Sequence, residues 1–349
     1  MKRIPRDPEK FEVIDLFDAI GQKRDLKLHD ESSEKIFLES IQTSLGRYKT
    51  PIILHGRRIE SMFGYVAASL GRSAVIKKED CGEVFLELTG AKIPDYRVVT
   101  QAGEQFLVEV KNCHKANPSA KFSLKAAYLE ALKSYASLVN LELKIAIYWS
   151  RWNKWVLISP DDLRCERSTC VTTFVDSCMQ NQMSILGDVT IGTTPPLVFR
   201  LLTDPEKPRR VGENSKATFT IGHVELYCAG QLIIEKEEQN IAFYLMLYGD
   251  WPTKQPKAHI EDGELLAIEY LAEPIEETPG QGFEIIGSMT GMISRHYNEL
   301  TAPSGQVERF APKGEPGMLG IAIPANYKGS QLPLWMFIQQ PAKDDDGET

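Results

Sequence analysis

The sequence predicts an α/β fold for its first half and a β-rich region for its second half. Between Asp30 and Ile158 the hydrophobic pattern gives helix, strands, helix and strands, an order typical of an α/β sandwich. From Pro160 onward, short apolar stretches are separated by frequent Gly and Pro, as in short strands joined by turns. The 349 residues, of which 42% are hydrophobic and 25% charged, are enough for two folded domains.

Two amphipathic helices are predicted at the start of the α/β region. Asp30 is a suitable N-cap for the first helix, whose apolar residues recur at steps of three and four. The second helix is expected from about Arg57 to Leu70. Beside its apolar face, Glu60, Gly64 and Ala67 form a stripe of small residues with one carboxylate, which lets another element approach closely.

A β-hairpin and a long helix complete the predicted core. The hairpin joins Tyr96–Thr100 to Gln105–Lys111 through a turn that contains Gly103. A helix is expected from about Ala120 to Val139. The apolar run Leu143–Trp149 is expected to be a strand buried on both faces of a sheet. Shorter strands are predicted at Ala74–Ile76, Val84–Leu88 and Trp155–Ile158.

The second half is predicted to contain short strands and two helices. The strands are expected at Ala217–Ile221, Ile241–Leu247, Leu265–Tyr270 and Leu334–Ile338, and the helices near Thr173–Met183 and Ser288–Leu300. We divide the chain into an N-terminal extension (1–30), an α/β domain (31–165), a β-rich interaction or oligomerisation domain (166–342) and an acidic tail (343–349).

Charge is distributed unevenly along the chain. Residues 1–165 contain 26 Lys and Arg against 22 Asp and Glu, a net charge of +4. Residues 166–349 contain 14 against 26, a net charge of −12. The first half is therefore the part suited to a polyanion, whereas the acidic second half is suited to self-association or to a protein partner.

Composition also bears on location and on the cysteines. No apolar stretch is long enough to cross a membrane, and the opening residues lack the apolar centre of a signal peptide. We therefore expect a soluble, cytoplasmic protein without a membrane partner. The six cysteines contain no C-x-x-C pair, which argues against a zinc site, and we expect them to be reduced thiols.

The residues that indicate chemistry are Asp95, Glu109 and Lys111. Because side chains alternate along a strand, Glu109 and Lys111 share one face, about 6.5–7 Å apart. If the hairpin closes around Ala102 and Gly103, Asp95 lies beside Glu109 and Val110 on the neighbouring strand, with a register error of about one residue. Two carboxylates and an ammonium group then converge.

Two carboxylates held this close in an apolar sandwich need a cation between them, because each loses solvation and repels the other. Mg²⁺ meets this need, with Mn²⁺ as the alternative, since it takes carboxylate, carbonyl and water oxygens. We expect Asp95, Glu109 and the carbonyl of Val110 to bind the metal. Lys111 is expected to position the attacking water and to stabilise charge on a phosphoryl group.

Pro94-Asp95, followed after thirteen residues by Glu109-Val110-Lys111, resembles the PD-(D/E)xK signature of the restriction-endonuclease-like nuclease superfamily, which includes Holliday-junction resolvases. The resemblance covers about residues 31–160. It implies a restriction-endonuclease-like αβββαβ core, followed here by the β-rich region. It also implies a metal-dependent endonuclease that hydrolyses phosphodiester bonds in DNA, in a setting such as restriction or phage defence.

The resemblance implies roles for residues outside the hairpin. Glu60 matches a helix Glu that joins the catalytic and metal-binding residues in this superfamily. Lys121 and Lys125 are candidates for a Gln or Lys that some members carry in or before the following helix. The residues expected to contact nucleic-acid phosphates are Arg57, Arg58, Lys115, Lys121 and Lys125, with His114 nearby.

Several alternatives stay open at this point. Pro94-Asp95 is also a common turn, and Glu109 with Lys111 could be an ordinary solvated strand face. A nuclease fold without activity could serve as a scaffold or as a nucleic-acid-binding subunit of a larger complex. RNA is not excluded as a substrate. Because duplex DNA has two strands to cut, we expect a homodimer.

Overall fold

The computed structural model describes residues 1–4, 12–80, 84–87, 90–211, 217–324 and 326–341. These residues form seven α-helices and several β-sheets, so the chain is a mixed α/β protein, as the sequence predicts. The helices are α1 (Val13–Arg24), α2 (Glu31–Tyr48), α3 (Pro51–Ser69), α4 (Ala126–Leu138), α5 (Phe174–Met179), α6 (Lys236–Tyr248) and α7 (Met289–Thr301). In the described ranges, no helix is both long enough and apolar enough to cross a bilayer.

The strands form two sets along the chain. The first set is β1 (Ser73–Lys78), β2 (Tyr96–Thr100), β3 (Gln105–Cys113), β4 (Phe122–Lys125), β5 (Glu142–Trp149), β6 (Lys154–Ile158), β7 (Arg164–Glu166) and β8 (Thr169–Thr172). The second set is β9 (Thr190–Thr193), β10 (Leu197–Thr203), β11 (Arg210–Val211), β12 (Ala217–Thr218), β13 (Ile221–Cys228), β14 (Gln231–Leu232), β15 (Lys257–Glu261), β16 (Glu264–Ala272), β17 (Glu284–Ser288) and β18 (Leu334–Phe337).

A five-stranded sheet in the order β1-β2-β3-β5-β6 forms the centre of the first half. Strand β3 lies in the middle, antiparallel to β2 and parallel to β5. Helix α3 covers one face, where Val108 is buried in the same apolar cluster as Phe63. Helix α4 covers the other face, where Leu107 is buried with Leu129. Because β3 is enclosed by two strands and two helices, a polar side chain on it must find its partners inside the protein.

Helices α2 and α3 begin where short side chains cap them. The Asp30 carboxylate accepts the Ser32 N–H at 3.2 Å, which confirms Asp30 as the N-cap of α2. Helix α3 begins at Pro51, earlier than the predicted start at Arg57, because Thr50 caps it and proline suits the first helical position.

Gly64 is the point of closest approach between α3 and the sheet. A Cβ at this position would lie 3.1 Å from the hydroxyl oxygen of Tyr96 on β2. The same hydroxyl donates to the backbone carbonyl of Glu60 at 3.0 Å. Within the stripe that the sequence shows on α3, Gly64 and the Glu60 carbonyl are therefore the groups that meet Tyr96 of β2.

The helix predicted from Ala120 starts later, because residues Phe122–Lys125 form β4 and α4 begins at Ala126. Phe122 and Leu124 are buried and alternate with exposed Ser123 and Lys125, which is the two-residue period of a strand. Strand β4 pairs with β8, which follows α4, β5, β6 and β7 in the chain. This distant pairing is not visible in the local pattern.

The predicted strand Ile241–Leu247 is wrong, because these residues lie inside α6. Ile241, Ala242, Tyr244 and Leu245 are all buried, and their spacing places them on one side of a helix. A short apolar run of this kind suits either a buried strand or a buried helix. The polar residues that precede it complete the helix and favour the second choice.

Two further elements differ from the sequence analysis. The N-terminal extension contains α1, where the Phe17 ring packs on the Phe37 ring of α2 with 5.0 Å between centroids. Within the predicted strand Val84–Leu88, residues 84–87 are described and are not in a strand, and Leu88 lies outside the described residues. The remaining predicted strands and helices of the second half overlap β12, β13, β16, β18, α5 and α7.

The two halves of the chain share a buried apolar cluster. The Trp155 ring of β6 packs on Phe63 of α3, and its indole N–H donates to Ser294 of α7 at 2.9 Å. The Tyr65 and Tyr297 rings lie 5.6 Å apart between α3 and α7. Helix α7 thus joins the second half to the central sheet. The division after residue 165 stays a prediction, and the acidic tail 343–349 lies outside the described residues.

Cys165 and Cys170 face each other on β7 and β8 and form a disulfide. The expectation of reduced thiols is therefore wrong for this pair, whose partners were not identifiable from spacing alone. Cys113, Cys178 and Cys228 are free thiols. Cys81 lies outside the described residues.

Candidate active site

The hairpin of β2 and β3 fixes Asp95 relative to Glu109. Tyr96 pairs with Val108, and the ladder between the two strands ends at this pair. Asp95 and Glu109 are therefore the next residues along the two chain segments, each directly beyond the end of the ladder. This register lies within one residue of the one that the sequence predicts.

The Asp95 carboxylate continues the hydrogen bonding beyond the ladder. Its Oδ2 accepts the backbone N–H of Val110 at 2.7 Å, where an opposing strand would otherwise supply a carbonyl. Because the N–H and C=O of one strand residue point to the same side, the Val110 carbonyl points toward β2 as well. A carboxylate and a carbonyl therefore share the space that opens between β2 and β3.

Glu109 is only 2% exposed, and its Oε1 is held by two donors. These are the Lys111 ammonium and the hydroxyl of Tyr128 on α4. Lys111 Nζ also lies 3.3 Å from the Tyr128 hydroxyl oxygen and 5.0 Å from the ring centroid. Within the described part of the chain, no side chain or backbone group donates to Oε2 of Glu109 or to Oδ1 of Asp95.

Burial and neighbouring charges shift the pKa values of Asp95 and Lys111. Burial and the nearby Glu109 carboxylate raise the pKa of Asp95 to about 7, although the Val110 N–H acts in the opposite direction. Burial acts to lower the pKa of Lys111, but the charge and hydrogen bond of Glu109 outweigh it, so the net shift is upward. Lys111 is therefore an ammonium group at neutral pH. The surroundings of Asp95 disfavour the negative charge of its carboxylate.

Tyr128 keeps its proton in this arrangement. Burial and the hydrogen bond to Glu109 raise the pKa of Tyr128 to about 12. The hydroxyl is therefore the donor toward Glu109, and the lone pairs of its oxygen face the Lys111 ammonium.

Among the described residues, no hydrogen bond or ion pair joins Glu60 to Asp95, Glu109 or Lys111. Glu60 lies on α3, which covers the face of the sheet opposite to Glu109 and Lys111, and its Oε2 forms an ion pair with Arg57 at 3.2 Å. Its charge helps to raise the pKa of Asp95, so it lies within electrostatic range. Nevertheless, no three His, Cys, Asp or Glu side chains in the described ranges form a group able to hold a metal ion.

Four of the five cations predicted to bind nucleic acid are exposed, namely Arg57, Lys115, Lys121 and Lys125. The three lysines lie on the segment that runs from the end of β3 through β4 to the start of α4. Lys115 donates to the backbone carbonyl of Lys121, which holds this segment in a compact turn. The segment starts four residues after Lys111.

Arg58 is placed differently. Its residue is 7% exposed, and its guanidinium donates to Asn298 and, at 3.4 Å, to Thr301, both on α7. Its Nε is buried and has no hydrogen-bond partner among the described residues. At this position Arg58 contacts α7 and is not available to a nucleic acid.

Two residues near the site were missed in the sequence analysis. Helical periodicity places Tyr128 on the apolar face of its helix, but a tyrosine that packs over a strand face with Glu109 and Lys111 has a hydroxyl to satisfy. Lys92 has its Nζ 4.6 Å from the Tyr128 ring centroid. It precedes β2 in an irregular segment, and no spacing rule connects it to the other residues.

No family model and no curated protein sequence matches the chain. Among solved structures, the chain is similar to Hjc, a Holliday junction resolvase from Archaeoglobus fulgidus, with 15% sequence identity and a TM-score of 0.24. The match covers 30% of this chain and 80% of the resolvase. A TM-score this low does not establish a shared fold, so the site must be judged on its own geometry.

Proposed function

We propose that this protein is a metal-dependent endonuclease that hydrolyses phosphodiester bonds, with DNA as its substrate. The observation that supports this most strongly is the position of Asp95 beside Glu109 at the end of the β2–β3 ladder, with Lys111 hydrogen-bonded to Glu109. Apart from β4, which pairs with β8 outside the central sheet, the order α3, β1, β2, β3, α4 and β5 agrees with the αβββαβ core implied by the resemblance. We infer a restriction-endonuclease-like core on this basis.

The oxygens of the site fit a hard divalent cation. Asp95, Glu109 and the Val110 carbonyl offer the donor types that Mg²⁺ and Mn²⁺ accept. The raised pKa of Asp95 reflects burial beside a second carboxylate, which is the situation that a bound cation relieves. When bound, such a metal would neutralise phosphate charge and lower the pKa of a coordinated water.

Lys111 is the residue that acts on the phosphate and the nucleophile in this proposal. It stays protonated at neutral pH and lies next to Glu109, so it can donate to an attacking water or to a phosphoryl oxygen. The charge that develops on the phosphate would be stabilised by this ammonium in a partly buried setting, where electrostatic effects are larger than in water.

Exposed cations around the site suit the backbone of a nucleic acid. Lys92, Lys115, Lys121 and Lys125 are exposed and come from the segment before β2 and the segment around β4, and Arg57 on α3 is exposed but paired with Glu60. Contacts of this kind position a strand without reading its sequence. The choice of DNA over RNA follows the resemblance, because phosphate contacts do not distinguish the two sugars.

A binding-only role is the second candidate. It is favoured by the absence, within the described residues, of a third acidic or histidine ligand beside Asp95 and Glu109. The Glu60 carboxylate, which the resemblance assigns to the metal, is paired with Arg57 instead. In this case the protein would bind nucleic acid but would not cut it.

The test is a cleavage assay with the purified full-length chain. Duplex plasmid, single-stranded DNA, four-way branched DNA and RNA are incubated with Mg²⁺, with Mn²⁺ and with EDTA. We expect cleavage of at least one DNA substrate that requires a divalent cation and stops in EDTA. Binding to the same substrates without cleavage under any of these conditions would favour the second candidate.

We further propose that the acidic second half mediates self-association or binds a protein partner. Its net charge of −12 disfavours contact with a phosphate backbone. A homodimer would present two active sites to the two strands of a duplex. Light scattering that shows a 39.3 kDa species for the free protein, and one protein chain per duplex in the complex with DNA, would rule the dimer out.

A further inference from the structure

We propose that Tyr128 is a positioning residue that divides the two oxygens of Glu109 between the protein and a metal ion. The inference rests on the proposed function, because it concerns the metal of that site. It identifies a residue of α4 that the spacing of the signature residues does not include. Its basis is the geometry of one carboxylate and two donors.

Oε1 of Glu109 accepts from both the Tyr128 hydroxyl and the Lys111 ammonium. Oε2 has no donor within the described part of the chain. A carboxylate with one oxygen engaged by the protein and the other free can bind a cation through the free oxygen. The hydrogen bonds of Oε1 also fix the orientation of the side chain, as outer partners of metal ligands commonly do.

Lys111 alone would not achieve this division. An ammonium group is a compact charge on a flexible stem, and it can move between the two oxygens of a carboxylate. Tyr128 limits this movement, because its oxygen lies 3.3 Å from Lys111 Nζ and its ring lies beneath the ammonium at 5.0 Å from the centroid. Without the hydroxyl, Lys111 is free to approach Oε2 and to compete with the metal for Glu109.

The position of Tyr128 is itself well determined. It lies in the first turn of α4, next to Leu129, which is fully buried between this helix and the sheet. A residue on the rigid start of a packed helix can hold a partner more accurately than one on a loop.

The test compares two substitutions that remove one hydroxyl each from the same helix. Tyr128→Phe removes the donor to Glu109. Tyr135→Phe is the control, because Tyr135 lies two turns further along α4 and its hydroxyl donates to another largely buried carboxylate, that of Glu79, at 2.9 Å. Each change removes a hydrogen bond that an α4 tyrosine donates to a carboxylate. Only Tyr128 contacts the proposed metal site.

Calorimetric titration with Mn²⁺ gives a readout that does not depend on activity. We expect Tyr128→Phe to bind Mn²⁺ about 10- to 100-fold more weakly than the wild type, as for other outer partners of metal ligands. Tyr135→Phe is expected to keep the wild-type affinity. Equal affinity of Tyr128→Phe and the wild type, or an equal loss in both variants, would overturn the inference.

A second readout separates positioning from general damage. If Tyr128 acts through metal binding, cleavage by Tyr128→Phe should approach the wild-type rate as the Mn²⁺ concentration is raised. A deficit that persists at saturating Mn²⁺ would contradict this role. A wild type that binds Mn²⁺ but cuts no substrate, together with weaker binding by Tyr128→Phe, would reject the proposed function and support the inference. A wild type that cuts DNA, together with unchanged Mn²⁺ affinity in Tyr128→Phe, would support the proposed function and reject the inference.

Discussion

Asp95, the residue before β2, and Glu109 of the antiparallel β3 lie one residue beyond the Tyr96–Val108 pair that ends the ladder. The Asp95 side chain accepts the Val110 N–H in place of the next ladder bond. The end of the hairpin is thereby held together by a carboxylate and not by backbone alone. This arrangement links the fold of the hairpin to the chemistry of the site.

Replacement of Lys111 should abolish most cleavage. Lys111→Ala removes the ammonium group expected to act on the nucleophile and the phosphate, so we expect a loss of about 10²–10⁴-fold in the rate of plasmid cleavage. Lys77→Ala, an exposed lysine on β1 of the same sheet, is the control and should cut at the wild-type rate. Unchanged cleavage by Lys111→Ala would remove Lys111 from the mechanism.

The pH dependence of stability should report the charge of Asp95. The pKa of Asp95 is raised to about 7 from 3.8, so the folded state keeps a proton that the unfolded state releases between these values. The stability of the metal-free protein should therefore fall as pH rises from about 4 to about 7, and change little from this group above that range. Asp95→Asn, which cannot ionise, should lack this loss.

We expect Asp95→Asn to be more stable than the wild type by about 2–4 kcal/mol at pH 8 in EDTA, and about equally stable at pH 4. Chemical denaturation at several pH values measures the difference. Glu104→Gln is the control, because Glu104 is exposed in the turn of the same hairpin. A stability difference that does not depend on pH would show that Asp95 is not destabilised by its charge.

Gly64 and Gly56 offer a matched pair on α3. A Cβ at Gly64 would lie 3.1 Å from the Tyr96 hydroxyl, whereas a Cβ at Gly56 would meet nothing within 4 Å. Gly56→Ala should stabilise the protein by about 0.5–1 kcal/mol through helix propensity. Gly64→Ala should destabilise it by about 1–2 kcal/mol, because crowding exceeds that gain. Thermal unfolding measures both, and a stabilising Gly64→Ala would show that α3 and β2 do not meet here.

Glu60 tests how many acidic residues the reaction needs. The Glu60 carboxylate is paired with Arg57, although its charge reaches Asp95. If it stays paired during the reaction, Glu60→Gln should keep most of the cleavage activity that Asp95→Asn loses. A loss in Glu60→Gln as large as that in Asp95→Asn would show that Glu60 moves into the metal site when substrate is bound.

The hairpin and its acidic pair were predictable because their determinants are local. Strand alternation puts Glu109 and Lys111 on one face, and the turn around Gly103 sets the register that brings Asp95 to Glu109. Both rules act within about twenty residues of sequence. The helix caps at Asp30 and Thr50 are local in the same sense.

The missed features depend on contacts between distant parts of the chain. Arg58 was expected at a nucleic-acid surface but is buried against α7, whose Asn298 lies 240 residues away. Strand β4 exists because β8 pairs with it, and Tyr128 enters the site because α4 packs on the sheet. Periodicity predicts which residues are buried, but it does not predict which distant partner buries them.

The central claim is that Asp95 and Glu109 together bind the metal that is needed for cleavage. The most direct measurement is Mg²⁺-dependent plasmid cleavage by Asp95→Asn, with Mn²⁺ affinity measured by calorimetry on the same preparation and Glu104→Gln as the control. We expect Asp95→Asn to lose both cleavage and Mn²⁺ binding while it stays folded, and Glu104→Gln to keep both. Wild-type cleavage by a folded Asp95→Asn protein would contradict the claim.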